Sequence, residues 1–335
     1  MGRTCLVHLA SGIGNIVLAT PLLLALDELG LDVEVCLDAD YAGTAALLQP
    51  WSIVRAVHTD GLAAAVACGR HDVVVPAVPP FYWRRFARAY AAVGPATVVG
   101  AGFSRPSVVA RPPDRLFATD EQAYYLAFAR ALGYTADRRP LPVLPIAPRD
   151  DESRVGPDTV VVAPGCKTGT MAAKRWPHFA ALAARLADVI VVGTGDDLRQ
   201  HDGTPMRFPG HVRSLVDRLT LRETAELLAA APVVVANDNG LAHVAAAVGA
   251  PTLMLFGPTG HACLGPLGPN VTVLTAGLGC EPCWTTARLA ACRGRVECLH
   301  ALGVDTVMNA IAAWLGGRDI CAWEECDGSA AVRAR

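Results

Sequence analysis

Lysine is nearly missing from this chain: its 335 residues contain two, Lys167 and Lys174, and arginine carries the remaining positive charge. Aromatic residues make up 6% and charged residues 18%. Neither sign of charge prevails, since the formal net charge is −2. That balance argues against an overall electrostatic pull toward nucleic acid or an anionic lipid surface. A long hydrophobic run is also missing. The apolar stretch Ile16 to Leu26 is broken by Pro21 and closed by Asp27 and Glu28, and it is too short to cross a bilayer. The glycine-rich turn before it reads as the start of a βα unit rather than the core of a signal peptide. A cytoplasmic setting is therefore expected. There the eleven cysteines read as thiols or metal ligands rather than as a disulfide framework.

What the chain does have is alanine, valine and leucine in many short runs, with 52% hydrophobic residues. This suits helices laid on buried parallel strands. The length suits two α/β domains of ordinary size. Apolar runs of strand length lie at Thr4–Leu9, Asp32–Leu37, Ile53–His58, Asp72–Val78 and Ala96–Gly100. Helical patterns lie between them, at Asn15–Leu29 and Arg84–Val93, and after them at Thr119–Leu132, with Thr119 or Asp120 as cap. A stretch rich in proline and charge, from Pro140 to Pro157, reads as a linker. The alternation then restarts. Strands are expected at Thr159–Ala163, Val189–Val192, Val233–Ala236 and Thr252–Phe256. Helices are expected at Arg175–Leu186, Leu221–Ala230 and Leu241–Val248, the second opened by a Thr220/Glu223 capping box. We therefore expect two Rossmann-like domains, residues 1–150 and 151–335, facing across a cleft. Ligands of such sheets bind beyond the carboxyl ends of the strands.

Three segments at strand ends carry candidate chemistry. The first is Ala10-Ser11-Gly12-Ile13-Gly14-Asn15, whose glycines permit a sharp strand-to-helix turn with free backbone N–H groups. By itself it reads equally well as a purely structural turn. The second is Ala163-Pro164-Gly165-Cys166-Lys167-Thr168-Gly169-Thr170, running on through Lys174-Arg175-Trp176-Pro177. It is not a Walker A loop, but it combines glycines, hydroxyls, a helix start and both lysines of the chain. Those are the parts of a phosphate site. The third is Asn237-Asp238-Asn239-Gly240-Leu241-Ala242-His243, between a buried strand and a helix. A helix N-terminus suits a diphosphate. The plain structural alternative is that Asp238 only caps the helix.

Taken together and in order, these segments resemble glycosyltransferase family 9, the ADP-heptose-dependent heptosyltransferases. The resemblance rests on Gly14-Asn15 with Ala19-Thr20-Pro21, on Ala163-Pro164-Gly165 with Lys174-Arg175-Trp176-Pro177, on Asn237-Asp238-Asn239-Gly240 with His243, and on Leu255-Phe256-Gly257-Pro258-Thr259. It implies a GT-B fold, with a first domain on the acceptor side and a second that holds the nucleotide-sugar donor. It further implies that Thr168 and Lys174 contact the diphosphate and that Asp238 binds sugar hydroxyls. Gly240, Leu241 and Ala242 would offer N–H groups to phosphate, with His243 beside them. Ser11, Gly12 and Gly14 would form the acceptor-side loop. The implied reaction is inverting transfer of a heptose, or a related sugar, from a nucleoside diphosphate to an acceptor hydroxyl, with no cofactor for the chemistry. The acceptor can be a glycan, a protein or a small molecule. A lipid-linked acceptor would bring peripheral membrane contact at most, and no nucleic acid is expected as a partner.

One position departs from the family. Its usual aspartate in the first turn, the general base, is Asn15 here, and an amide does not take up a proton at neutral pH. His8, Asp38 and Asp40 near early strand ends are alternative bases. The acceptor needing only orientation, and altered or lost activity, stay open beside them. Cys280, Cys283, Cys292 and Cys298 form C-x2-C-x8-C-x5-C, the spacing of a structural zinc or iron site or of four reduced thiols. A subgroup resembling the family carries iron on cysteines. Two rival readings remain: a non-catalytic nucleotide-sugar-binding scaffold, and a GT-B nucleotide-sugar epimerase.

Overall fold

The computed structural model describes residues 2–68, 71–79, 83–91, 97–99, 120–137, 139–148, 155–167, 169–265, 268–279, 283, 292 and 295–316. It divides into two compact units, Met1–Ile146 and Ala147–Arg335.

Unit 1 opens with β1 (Arg3–Leu9), whose last five residues are buried. The expected single helix after it is two helices, α1 (Ile13–Leu18) and α2 (Thr20–Glu28). Proline explains the break. Pro21 has no N–H to donate to Val17, and its ring would crowd that carbonyl. The Thr20 hydroxyl donates to Val17 O instead, at 2.8 Å. Next come β2 (Leu31–Leu37), a 3₁₀ turn, α3 (Ala45–Leu48), β3 (Val54–His58), α4 (Leu62–Cys68), β4 (Val73–Pro76), α5 (Trp83–Ala91) and β5 (Thr97–Val98). The last helix of the unit is α6 (Glu121–Ala131), capped by Asp120, which accepts from the N–H groups of Gln122 and Ala123. Thr119, the alternative cap, lies outside the described residues. The sheet order is β3-β2-β1-β4-β5, and every pairing is parallel.

Unit 2 repeats the plan with β6 (Val160–Ala163), α7 (Phe179–Arg185), β7 (Val189–Val191), β8 (Arg213–Ser214), α8 (Leu221–Ala230), β9 (Val233–Asn237), α9 (Gly240–Ala247), β10 (Thr252–Leu255), α10 (His261–Leu264) and β11 (Val271–Leu274). Helices Glu297–Ala301 and Val304–Trp314 follow. The sheet order is β11-β10-β9-β6-β7-β8, again all parallel. The Thr220/Glu223 capping box is present with both of its reciprocal bonds. The core centres on Trp176, with Phe179, valines of β6, β7 and β9, and Ile311 of the closing helix. α7 starts four residues later than the pattern suggested because Arg175 and Trp176 are engaged elsewhere. The Trp176 N–H donates to Asn237 Oδ1 at 2.9 Å, and its indole N–H to Leu302 O at 2.7 Å.

The two strand orders locate the binding regions. In unit 1 the order reverses between β1 and β4, and in unit 2 between β6 and β9. Loops at the carboxyl ends of such strands splay apart and leave a crevice. The loop after β6 holds Gly165 to Lys174, and the turn after β9 holds Asp238. Among the described residues, no helix is long and apolar enough to cross a membrane.

Candidate active site

In unit 2 the loops after β6 and β9 are laced together by asparagines. Asn237, the last residue of β9, is fully buried. Its side chain accepts from the Trp176 N–H and donates to Pro164 O. Asn239 donates to Ala163 O at 3.0 Å and to Gly165 O at 2.8 Å, and accepts from the Ala242 N–H at 2.9 Å. Asn239 is therefore the cap of α9, and Asp238 is not. The Ala242 N–H, expected to face phosphate, is taken up by this cap. Arg175 is buried and braces the same loop, donating to Cys166 O and Arg199 O.

With capping assigned to Asn239, Asp238 serves another purpose. Its Oδ2 accepts from Lys174 Nζ at 2.9 Å and from the Thr259 hydroxyl at 2.8 Å. Both side chains of the ion pair are largely shielded from water. Lys174, at the end of a 3₁₀ turn, thus meets the carboxyl ends of β9 and β10 at one point. His243 lies beside them, with Nε2 4.0 Å from Asp238 Oδ1. Burial pushes its pKa down to about 4, against the pull of Asp238 and with the help of Lys174, so the ring is neutral at pH 7. Among the described residues its Nδ1 is buried without a hydrogen-bond partner. In the sequence Thr259 stands only as the last residue of the Leu255-Phe256-Gly257-Pro258-Thr259 motif. Its place at the end of β10 was the signal that it belongs with Asp238. Lys167 is exposed, and Thr168 lies outside the described residues.

Gly165 is required by close approach. A Cβ there would stand 1.9 Å from Asp197 Oδ1. Asp197 fills that space because it accepts from the N–H and hydroxyl of Thr194 in the turn after β7.

In unit 1, Ser11 and Gly12 are buried, and Gly14 and Asn15 are half-buried at the start of α1. The Asn15 amide donates to Glu121 Oε1, which also accepts from the Tyr125 hydroxyl at 2.8 Å. Glu121 is a buried carboxylate at the first position of α6 that belongs to none of the sequence motifs. Burial, then the Glu121 charge, pushes the Tyr125 hydroxyl well above its ordinary pKa. Of the alternative bases, His8 is fully buried. Its Nδ1 meets the Tyr90 hydroxyl at 2.6 Å and its Nε2 meets Asp38 Oδ1 at 3.2 Å. Asp38, just past β2, is partly exposed, and Asp40 is exposed.

Cys280 lies outside the described residues, as do Cys321 and Cys326. Cys283 and Cys298 are buried and Cys292 is half-buried. These three do not gather as a ligand group among the described residues; Glu34, His58 and His71 do.

The sequence profile of glycosyltransferase family 9 (heptosyltransferase) matches residues 124–292, half of the chain. This chain belongs to that family. The matched region includes Lys174, Asp238, His243 and Thr259. Lipooligosaccharide heptosyltransferase 2 of Haemophilus influenzae is 32% identical over 125 residues, which is 33% of this chain and 34% of that protein. The chain spans about a third of the length of the curated relatives it matches. Similarity of fold extends further. A glycosyl transferase family 9 structure from Veillonella parvula superposes with a TM-score of 0.75 at 16% identity, covering 94% of this chain and 98% of the other. The structure of E. coli ADP-heptose lps heptosyltransferase II gives a TM-score of 0.68 at 18% identity, covering 93% and 98%. The fold of this family member is GT-B, built from two Rossmann-like domains.

Proposed function

We propose that this family 9 member is a glycosyltransferase that moves a heptose, or a closely related sugar, from ADP-heptose to an acceptor hydroxyl with inversion at the anomeric carbon. The observation that supports this most is the Lys174–Asp238–Thr259 cluster at the reversal point of the unit 2 sheet. A buried carboxylate tethered by an amine and a hydroxyl offers hydrogen-bond acceptors to sugar hydroxyls. The ammonium beside it offers positive charge to the departing diphosphate. Unit 2 is then the donor domain and unit 1 the acceptor domain. The N–H groups of Gly240 and Leu241, at the start of α9, are those left to phosphate after Asn239 has engaged Ala242. Neutral His243 adds a hydrogen-bonding edge without a competing charge. Thr168 is assigned to the diphosphate on the resemblance alone.

In this reading the proton of the acceptor hydroxyl does not go to position 15. Asn15 is turned by Glu121 so that its amide N–H faces that carboxylate, which leaves the amide oxygen to accept from the hydroxyl and orient it. Asp38 is the base. It stands partly exposed at the carboxyl end of β2, steadied from behind by His8. The transfer needs no cofactor. The compartment is cytoplasmic, and membrane contact arises only through a lipid-linked acceptor.

Calorimetric titration of the purified protein tests the donor assignment. ADP and ADP-heptose should bind, and UDP and GDP should bind far more weakly. Lys174→Ala should weaken ADP binding by about 1.5–3 kcal/mol, the range for a hydrogen bond to a charged group. Equal affinity for all three nucleotides would remove the ADP-sugar reading, and unchanged ADP affinity in Lys174→Ala would remove Lys174 from the site.

A further inference from the structure

A second group of chemically capable side chains lies in unit 1, outside every loop assigned above. Glu34 is in the middle of β2, His58 is the last residue of β3, and His71 stands two residues before β4. Their three ligand atoms all lie within 4.8 Å of one another. His58 Nε2 is 2.7 Å and His71 Nε2 is 3.2 Å from one and the same oxygen, Glu34 Oε2. Three separate chain segments thus aim two imidazole nitrogens and a carboxylate oxygen at a single point. The His71 side chain is 3% exposed, whereas Glu34 and His58 keep 25% and 23% exposure, so one side of the vertex is open to water.

Burial raises the Glu34 carboxyl, but the hydrogen bonds and charges of His58 and His71 outweigh it and hold the group below its ordinary range. Those two rings are what stabilises the carboxylate among the described residues; the neighbouring Arg55 pairs with Asp32 instead. Two imidazoles and a carboxylate are a borderline N/O donor set suited to zinc and its neighbours. An ion at about 2.0–2.2 Å from each donor atom needs those atoms roughly 3.3 Å apart. The Glu34–His71 separation of 3.2 Å already meets this; His58 must withdraw from Glu34 by about half an ångström, and the two ring nitrogens, which lie within 4.8 Å of each other, must settle at the same spacing.

We propose that Glu34, His58 and His71 bind one divalent transition-metal ion, zinc by the chemistry of the set, with water completing the shell. The ion ties β2, β3 and the entry to β4 together and takes no part in sugar transfer.

The test uses the full chain stripped by chelator and titrated with Co²⁺, then with Zn²⁺. Cobalt on imidazole and carboxylate absorbs in the visible without the near-ultraviolet thiolate band that a cysteine site gives, so the cysteines of residues 280–298 are read separately. One thiolate-free Co²⁺ per chain is expected, displaced by Zn²⁺ and lost on acidification. His58→Gln and His71→Gln should each weaken it by on the order of 100-fold or more, since even outer-shell changes cost 10–100-fold. Zn²⁺ should raise the unfolding temperature of the wild type and not that of His58→Gln. His58 is the less buried ring, and that variant, checked for native circular dichroism in chelator, carries the test if His71→Gln does not fold. Absence of a thiolate-free cobalt spectrum, or its persistence in His58→Gln, would overturn the proposal.

Discussion

Asp38 and His243 are the two residues whose behaviour is most exposed to test. If Asp38 is the base, Asp38→Asn should lower kcat by on the order of 10²–10⁴, the range for loss of a general base, with ADP affinity unchanged by calorimetry. A full rate in Asp38→Asn would return the role to another group. For His243 the sign follows from its depressed pKa. The folded chain takes up this proton only near pH 4, the unfolded chain near 6.5. Between the two, the unfolded state binds more protons, so stability falls as pH falls. The contribution is complete above pH 6.5 and is lost by about pH 4, amounting to roughly 3 kcal/mol. Urea unfolding at pH 7 and pH 4.5 should show this loss, and His243→Asn should lack that component. Equal pH dependence in the two proteins would contradict it. Legibility differed sharply among such residues. Lys174 was conspicuous because lysine is so rare here. Glu121 was not, since nothing in its neighbourhood marks a glutamate that meets Asn15 across more than a hundred residues.

At the scale of elements, local signals read well where they act locally. The Thr220/Glu223 box and the Asp120 cap are hydrogen bonds between near neighbours, so their residues suffice to announce them. The break at Ala19 and the late start of α7 are different. Pro21 alone explains the first. The second depends on Trp176 finding Asn237 and Leu302 far along the chain. Asn239 joins both kinds of interaction, because it caps α9 and also ties the loop after β6. Asn239→Ala should cost about 1–2 kcal/mol for the cap. It should also free the Ala163 and Gly165 carbonyls and weaken ADP binding. Chemical unfolding and calorimetry on the one variant check both effects. A loss of stability with ADP affinity intact would confine Asn239 to capping.

At the scale of the molecule, each unit is a parallel sheet whose strand order reverses once, and the candidate residues gather where it does so. The proposed donor site lies wholly within Ala147–Arg335. ADP at about 100 times its Kd should therefore stabilise that unit by about 2.7 kcal/mol. Hydrogen exchange should show the added protection in β6, β9 and α9. Protection confined to residues 1–146 would place the nucleotide in the wrong unit.

The sequence by itself determined the two-fold βα alternation and the family to which Lys174-Arg175-Trp176-Pro177 and Asn237-Asp238-Asn239-Gly240 belong. These are patterns of short range, set by periodicity, turn chemistry and residue order. Only the tertiary structure decided that Asn239 rather than Asp238 caps α9, that Thr259 joins Lys174 on Asp238, that Asn15 is held by Glu121, and that Glu34, His58 and His71 converge. Each of these is a contact between strand ends or loops distant in the chain. Their partners are chosen by sheet order and register, which no single segment encodes.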